Sequence, residues 1–396
     1  MPMHFSPNEI KQLRAETIGT QYVTHFNNAG AALIPNPVSQ VVQDYLAEEA
    51  KYGGYEMAAK YQSDLEQTYT TIAQFIGAKT NEIALVENAT EAWHKAFHAI
   101  PFEKGDIILT SEAEYATNYI SYLQKQEQIG IEIKVIPSDE QGQINVEALE
   151  KMISPTVKLI SVTHIPTNGG LINPAEAVGE IAKANGILYL LDACQSIGQI
   201  PINVEKIGCD MLSATGRKYL RGPRGTGFLY VRQAVYEQLT PPFLDLHSAS
   251  WESATSFDIR NDARRFENWE SNKGLILGLK KSVEYADAIG MERIQHRIQY
   301  LGNLLRDSLQ QVKGVQVHDI GQQKGGLVSL SKKGYTREQI LTHLSKHQIN
   351  CSPIFYNGTL LDMQKRNLAH NLVRASVHYY NTEAEIQHCC TILDQL

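Results

Sequence analysis

From about residue 20 to residue 235 the chain alternates short apolar runs with amphipathic stretches. Seven runs read as strands: EIALVE, DIILTS, EIKVIP, VKLISVTH, GILYLLDA, DMLSATG and GTGFLYV. Several are apolar at nearly every position, the pattern of strands covered on both faces, as in a parallel sheet. Between them, segments such as PAEAVGEIAKAN place apolar residues at helical spacing. The alternation predicts an α/β domain with a mostly parallel seven-stranded sheet under helices. Pro241 and Pro242 break the rhythm. From about residue 271 the chain reads as one long helix, then GLVSLSKKG, a helix, INCSPIF and LVRASVHYY, which predicts a smaller α+β C-terminal domain. The expected division is a segment 1–20 packing with the small domain, a large domain over 21–258, and a linker helix and small domain over 259–396.

Composition narrows the partners. The chain has 396 residues, 43% hydrophobic and 20% charged, with a net charge of -7. Apart from short pairs such as Arg264 and Arg265 it has no basic cluster, which argues against nucleic acid and for a small-molecule partner. MPMHFSPNEI lacks the basic start and apolar core of a secretory signal, and no stretch approaches the length of a membrane span, so a cytoplasmic location without membrane contact is expected. Five cysteines without framework spacing suit a reducing compartment. His388, Cys389 and Cys390 lack the second ligand pair of a zinc site, so no metal is expected.

In open α/β sheets, ligands bind beyond the carboxyl ends of the strands. One such end carries Asp192, which closes GILYLLD, and a later one carries Lys218, set among small residues and arginines in SATGRKYLRGPRGTG. A buried acid needs a partner, and neighbouring positive charge would lower the pKa of the lysine and free its amine to attack a carbonyl. Pyridoxal 5'-phosphate (PLP) uses both groups. Its aldehyde condenses with a lysine, and a carboxylate keeps its pyridine nitrogen protonated so that the ring can accept electrons from a substrate α-carbon. Other strand ends offer companions. Ala89 and Thr90 open a helix that could hold a phosphate, Tyr115 could stack on the ring, and Asn168 could donate to its phenolic oxygen. Taken singly, each serves equally well as a cap, turn or core residue.

Over nearly its whole length the chain resembles the class V aminotransferases within the fold-type I PLP enzymes. The resemblance implies that Asn28, in FNNAGAALIP, approaches the substrate carboxylate, that Ala89 and Thr90 form the phosphate turn, and that Asn168 and Gln195 donate to the ring oxygen. Tyr115 stands where the family usually has a histidine, and so lacks an imidazole's acid-base capacity near neutral pH. The Ser-Gly-His-Lys signature corresponds to Thr215, Gly216, Arg217 and Lys218, with Thr215 and Arg217 on the phosphate. Arg374, in LVRASVHYYNT, matches the arginine that grips the substrate α-carboxylate. Where the family often has a Gly-Thr reaching the neighbouring subunit's phosphate, this chain has Trp269 and Glu270, so that contact is either absent or taken over by Ser271 or Asn272. A homodimer with interfacial sites is implied. Tyr55, His247, Trp251 and Trp269 are candidates to line the amino acid pocket.

The reaction is read from what accompanies the lysine. Cysteine desulfurases of this family need a cysteine on the loop before the carboxylate-binding arginine, and PIFYNGTLLDMQKRNLAHNLV contains none. FNNAGAAL, GGYE at Gly53 to Glu56, and ATGRKYLRGPRGTGFLYV resemble most the branch of hercynylcysteine sulfoxide lyase and isopenicillin N epimerase-like proteins. The expectation is a carbon-sulfur lyase of the ergothioneine-pathway type, cleaving an S-substituted cysteine or its sulfoxide to pyruvate, ammonia and a sulfur product. Lys218 would then be the only proton carrier. The alternatives are an epimerase or aminotransferase and, less favoured, a desulfurase or a non-catalytic binding module.

Overall fold

The computed structural model describes residues 4–368 and 371–396. Met1 to Met3, the start of the segment expected to pack with the small domain, and Ala369 and His370, in the loop before Arg374, lie outside the described residues. All seven apolar runs form strands of one sheet: β1 (Ile83–Val86), β2 (Ile107–Ser111), β3 (Glu132–Ile136), β4 (Val157–Thr163), β5 (Leu188–Asp192), β6 (Met211–Thr215) and β7 (Gly227–Val231). Their order is β1-β7-β6-β5-β4-β2-β3. Pairing is parallel from β6 to β3 and antiparallel on both sides of β7. The exception follows from the connection: residues 216–226 form no crossover helix, so the chain returns beside β6 in the opposite direction.

Both faces of the sheet are covered. Leu191, Leu212 and Phe228 on one face pack with helices Gln62–Ile76, Ala175–Ala184 and Lys273–Ile289. Leu190, Met211 and Leu229 on the other meet Trp93 and Phe97 of helix Ala89–His98 and Tyr122 of helix Ala116–Ile129. Each such fully buried aliphatic contributes roughly 1.5–3 kcal/mol.

The C-terminal part holds a four-stranded antiparallel sheet, ordered Val315–Val317, Leu327–Lys332, Val373–Ser376, Ser352–Pro353. The single long helix expected from residue 271 is two, Lys273–Ile289 and Met291–Gln310, because Gly290 adopts φ +93° and ends the first. The first half packs on helices Asn36–Tyr52 and Gln62–Ile76, the second on helix Glu383–Asp394. An exposed hairpin, Ala249–Ser253 with Ser256–Ile259, was not expected from its mostly polar sequence. No helix among the described residues is long and apolar enough to cross a membrane.

The N-terminal segment is tied to the C-terminal sheet. Thr24–His25 pairs in parallel with Ile349–Asn350, and Arg14 pairs with Glu385 at 2.9 Å. Arg221, just after Lys218, gathers the same parts. Its backbone is held at φ +60°, unusual for a residue with a side chain. Its Nε donates to Leu33 O at 2.8 Å, and its Nη1 and Nη2 donate to the Tyr379 hydroxyl at 2.6 Å and the Thr17 hydroxyl at 2.7 Å. The guanidinium also lies 4.4 Å from the centroid of Tyr380.

The turn after β5 rests directly on the Lys218 loop. At Gly198, φ is +78° and an added Cβ would lie 2.5 Å from the backbone of Tyr219 and Leu220. Gly198→Ala is therefore expected to cost about 1–3 kcal/mol and to shift the urea midpoint down; an unchanged midpoint contradicts this packing.

Candidate active site

The carboxyl ends of five strands surround a cavity of about 160 Å³. It brings together Ala89, Thr90, Tyr115, Asp192, Gln195, Thr215, Arg217 and Lys218. Local sequence explains the placement. Asn88 caps helix Ala89–His98 by accepting from Glu91 N at 3.0 Å, while the first helical amides have no partner within the helix. Gly227 lets β7 run close beneath that helix start: a Cβ there would lie 2.5 Å from Ala214 O and 2.9 Å from Asn88 C.

The electrostatics are set by desolvation. Asp192 is buried, its Oδ1 accepting from Cys194 N at 2.9 Å and its Oδ2 from Asn118 Nδ2 at 3.1 Å. Burial raises its pKa above the usual carboxylate value. Burial likewise lowers the Lys218 ammonium pKa, with Arg217 and Arg374 adding to the effect and Cys194 and Asp192 opposing it. The arginines expected to free the amine thus come second to the loss of water. Arg374 Nη1 donates to Thr167 O at 2.8 Å and to the Thr167 hydroxyl at 2.9 Å, and burial lowers its pKa to about 10. Gln195 donates to Ala29 O at 3.1 Å, whereas its buried Oε1 and Arg374 Nε have no hydrogen-bond partner among the described residues. Unmet polar atoms of this kind cost about 1–3 kcal/mol each; a polar ligand relieves that cost.

Arg374 is joined to the cavity lining through Thr167 and is not itself part of it, and other candidates lie elsewhere. Asn168 does not line the cavity. Its amide donates to Phe355 O at 3.1 Å and the Thr359 hydroxyl at 3.0 Å, and its neighbour Thr167 faces the cavity instead. Asn28 is fully buried, donating to His25 O at 3.1 Å and Ser376 O at 2.7 Å and accepting from the Tyr380 hydroxyl. It fastens the N-terminal segment to the strand of Arg374 and has no group free for a substrate. That segment meets the site through its backbone: Ala29 O accepts from Gln195, Gly30 O accepts from Arg217, and Ala32 N donates to Arg217 O at 2.9 Å. Tyr55 is 79% exposed and, with His247, Trp269, Glu270, Ser271 and Asn272, borders a separate surface cavity. Trp251 is exposed on the hairpin. Asn272 caps helix Lys273–Ile289 by accepting from Leu275 N at 3.0 Å. Sequence reading missed Glu114, Asn118, Thr163, Thr167 and Cys194. Of these, the four-residue spacing of Glu114 and Asn118 at a helix start was the available signal.

A family model described as aminotransferase class-V matches residues 24–389. The chain belongs to that family. Among similar proteins, a probable cysteine desulfurase of Methanothermobacter thermautotrophicus is 28% identical over 92% of each chain, and one of Pyrococcus abyssi is 26% identical over 95% of each. The solved apo structure of a cysteine desulfurase from Thermococcus onnurineus has a TM-score of 0.90 at 26% identity over 97% of each chain. At 20% identity, a cystine C-S lyase in complex with its product cysteine persulfide shares the fold, with a TM-score of 0.86 over 96% of this chain and 99% of the other. The Methanothermobacter and Pyrococcus relatives are thus named for desulfuration, the activity that the missing loop cysteine had disfavoured, and neither is named a sulfoxide lyase.

The cofactor of this class V enzyme is pyridoxal phosphate, and the cavity fits it. An amine at Lys218, a carboxylate at Asp192, and helix amides with the Thr90 and Thr215 hydroxyls and Arg217 match its aldehyde, its ring nitrogen and its phosphate. The unpaired Gln195 Oε1 borders the same space. Asp192→Asn is expected to weaken PLP binding about tenfold to a hundredfold, as loss of a charge-assisted hydrogen bond does. Fluorescence titration measures it, and wild-type affinity in the variant would remove Asp192 from this role.

Proposed function

We propose that the chain is a PLP-dependent carbon-sulfur lyase that eliminates the sulfur substituent from cysteine or an S-substituted cysteine. The family membership and the names of the relatives support cysteine as the substrate class. The observation that carries elimination is the state of the thiols. The five cysteines are residues 194, 209, 351, 389 and 390, none of them on the loop between 354 and 372. Burial raises the pKa of every one, to about 12 at Cys351 and about 11 at Cys390. A thiol held protonated is a poor acceptor of sulfur.

The chain's residues divide the work as follows. Arg374 offers its guanidinium to the α-carboxylate, and the side chain of Tyr115, 37% exposed, offers a face to the ring. Ala89, Thr90, Thr215 and Arg217 hold the phosphate, and Asp192 holds the ring nitrogen. The bound cofactor supplies the electron sink. Lys218 Nζ, its ammonium pKa lowered by burial, takes the α-proton. The Cβ–S bond breaks with its electron pair on sulfur, and water completes the balance to pyruvate, ammonia and a thiol. No protein cysteine enters this scheme.

A second reading, cysteine desulfurase, is favoured by the relatives' names. It delivers sulfur to an acceptor thiol and releases alanine. Incubation with cysteine, cystine and S-alkyl cysteines, followed by product analysis, separates the two: pyruvate without alanine is expected, and alanine as the carbon product overturns elimination. Lys218→Ala is expected to abolish turnover and the yellow absorbance of lysine-bound cofactor together. The proposal includes a homodimer, supported by exposed Phe243, Leu246, Trp251 and Trp269 around the hairpin. Light scattering is expected to give twice the 44.3 kDa chain mass; a monomeric mass rejects it.

A further inference from the structure

Asp192 and Asn118 line the cavity, and Asn118 links Asp192 to a second acid that does not line it. Glu114, in the turn after β2, is also buried, and every contact of its carboxylate is with a donor. Oε1 accepts from Tyr115 N at 2.9 Å, from Asn118 Nδ2 at 2.8 Å and from the Thr163 hydroxyl, and Oε2 accepts from the Thr110 hydroxyl at 3.0 Å. The same Asn118 nitrogen donates to Asp192 Oδ2 at 3.1 Å. One amide therefore spends its two N–H groups on two carboxylates. Neither acid has a salt bridge among the described residues. Two buried acids sharing a donor, without a cation between them, form a site that waits for positive charge.

We propose that Glu114 is a positioning residue for the pyridine end of the cofactor. Through Asn118 it fixes the orientation of Asp192, and it adds a second negative charge that favours the protonated ring nitrogen. This goes beyond the assignment of Asp192 and is independent of which substrate bond is cleaved. The groups facing Glu114 are few. From the end of β5 comes Asp192, and from helix Ala116–Ile129 come Asn118 and the Tyr122 phenol, whose hydroxyl donates to Ser161 at 2.7 Å. From β2 and β4 come only the hydroxyls of Thr110 and Thr163. Lys218 acts on Asp192 from the cavity side. Burial, with Asp192 adding repulsion, raises the Glu114 pKa to about 7. Its charge is accordingly present above neutrality and lost below it, unless a bound cation lowers that point.

Glu114→Gln tests this without disturbing the packing. The amide oxygen can keep the three Oε1 contacts, while the new NH2 can donate to the Thr110 hydroxyl. PLP affinity, read by fluorescence, is expected to fall about tenfold in the variant at about pH 8, and the two proteins are expected to converge at about pH 6. With 15N-labelled PLP, the ring nitrogen signal at the higher pH should move toward its unprotonated position in the variant only. An equal loss at both pH values, or an unchanged 15N signal, overturns the proposal in favour of a packing role. The apo protein supplies a folding control. A carboxyl whose pKa is higher folded than unfolded removes stability as pH rises from about 4.5 to about 7. Apo Glu114→Gln should thus melt at or above the wild-type temperature beyond that window; a lower melting temperature there also overturns the proposal.

Discussion

Keeping Lys218, Asp192 and Glu114 away from water at one end of a sheet is the constraint around which this molecule is organised. A buried charge without a partner is costly, so each of these groups is either shifted toward its neutral form or supplied with donors. The sheet makes the burial possible. Strands β2, β5 and β6 are buried along their whole length and stop where the chemistry begins, and antiparallel β7 starts there, so backbone amides and hydroxyls at the strand ends become the polar lining. Family members of this kind bind a cofactor that is positive at one end, negative at the other and carbonyl-bearing between. The cavity presents the complement of that pattern.

Much of the fold was legible because burial writes itself into the sequence. A strand covered on both faces must be apolar throughout, and GILYLLDA and DMLSATG leave little room for another reading. Where burial is partial the signal fades. The hairpin at 249–259 faces solvent and looks like any polar linker, and the break at Gly290 depends on one φ angle in a segment whose apolar spacing continues on both sides.

The site was legible to the degree that strand ends fix direction. Asp192 and Lys218 follow strands closely and lie where the pattern put them. Asn168 sits in a longer loop, where a shift of one residue decides which side chain faces the cavity, and Thr167 takes that place. Asn28 illustrates a different limit: its polarity is consumed by Ser376 and Tyr380, residues 348 and 352 positions away, which no local spacing reports. Glu114 was passed over because an acid in a turn normally belongs to the surface. Its burial comes from β4 and helix Ala116–Ile129 closing over it, a tertiary fact.

Arg221 carries a consequence for how the protein is made. Its guanidinium is satisfied only when Thr17, Leu33 and Tyr379 have all arrived, and it lies three residues beyond Lys218. The segment that shapes the lysine loop is therefore incomplete until the chain has been made as far as Tyr379. The large sheet can assemble earlier, since its strands end at residue 231. The lysine loop therefore takes its final form only once the chain has been made well beyond the large sheet.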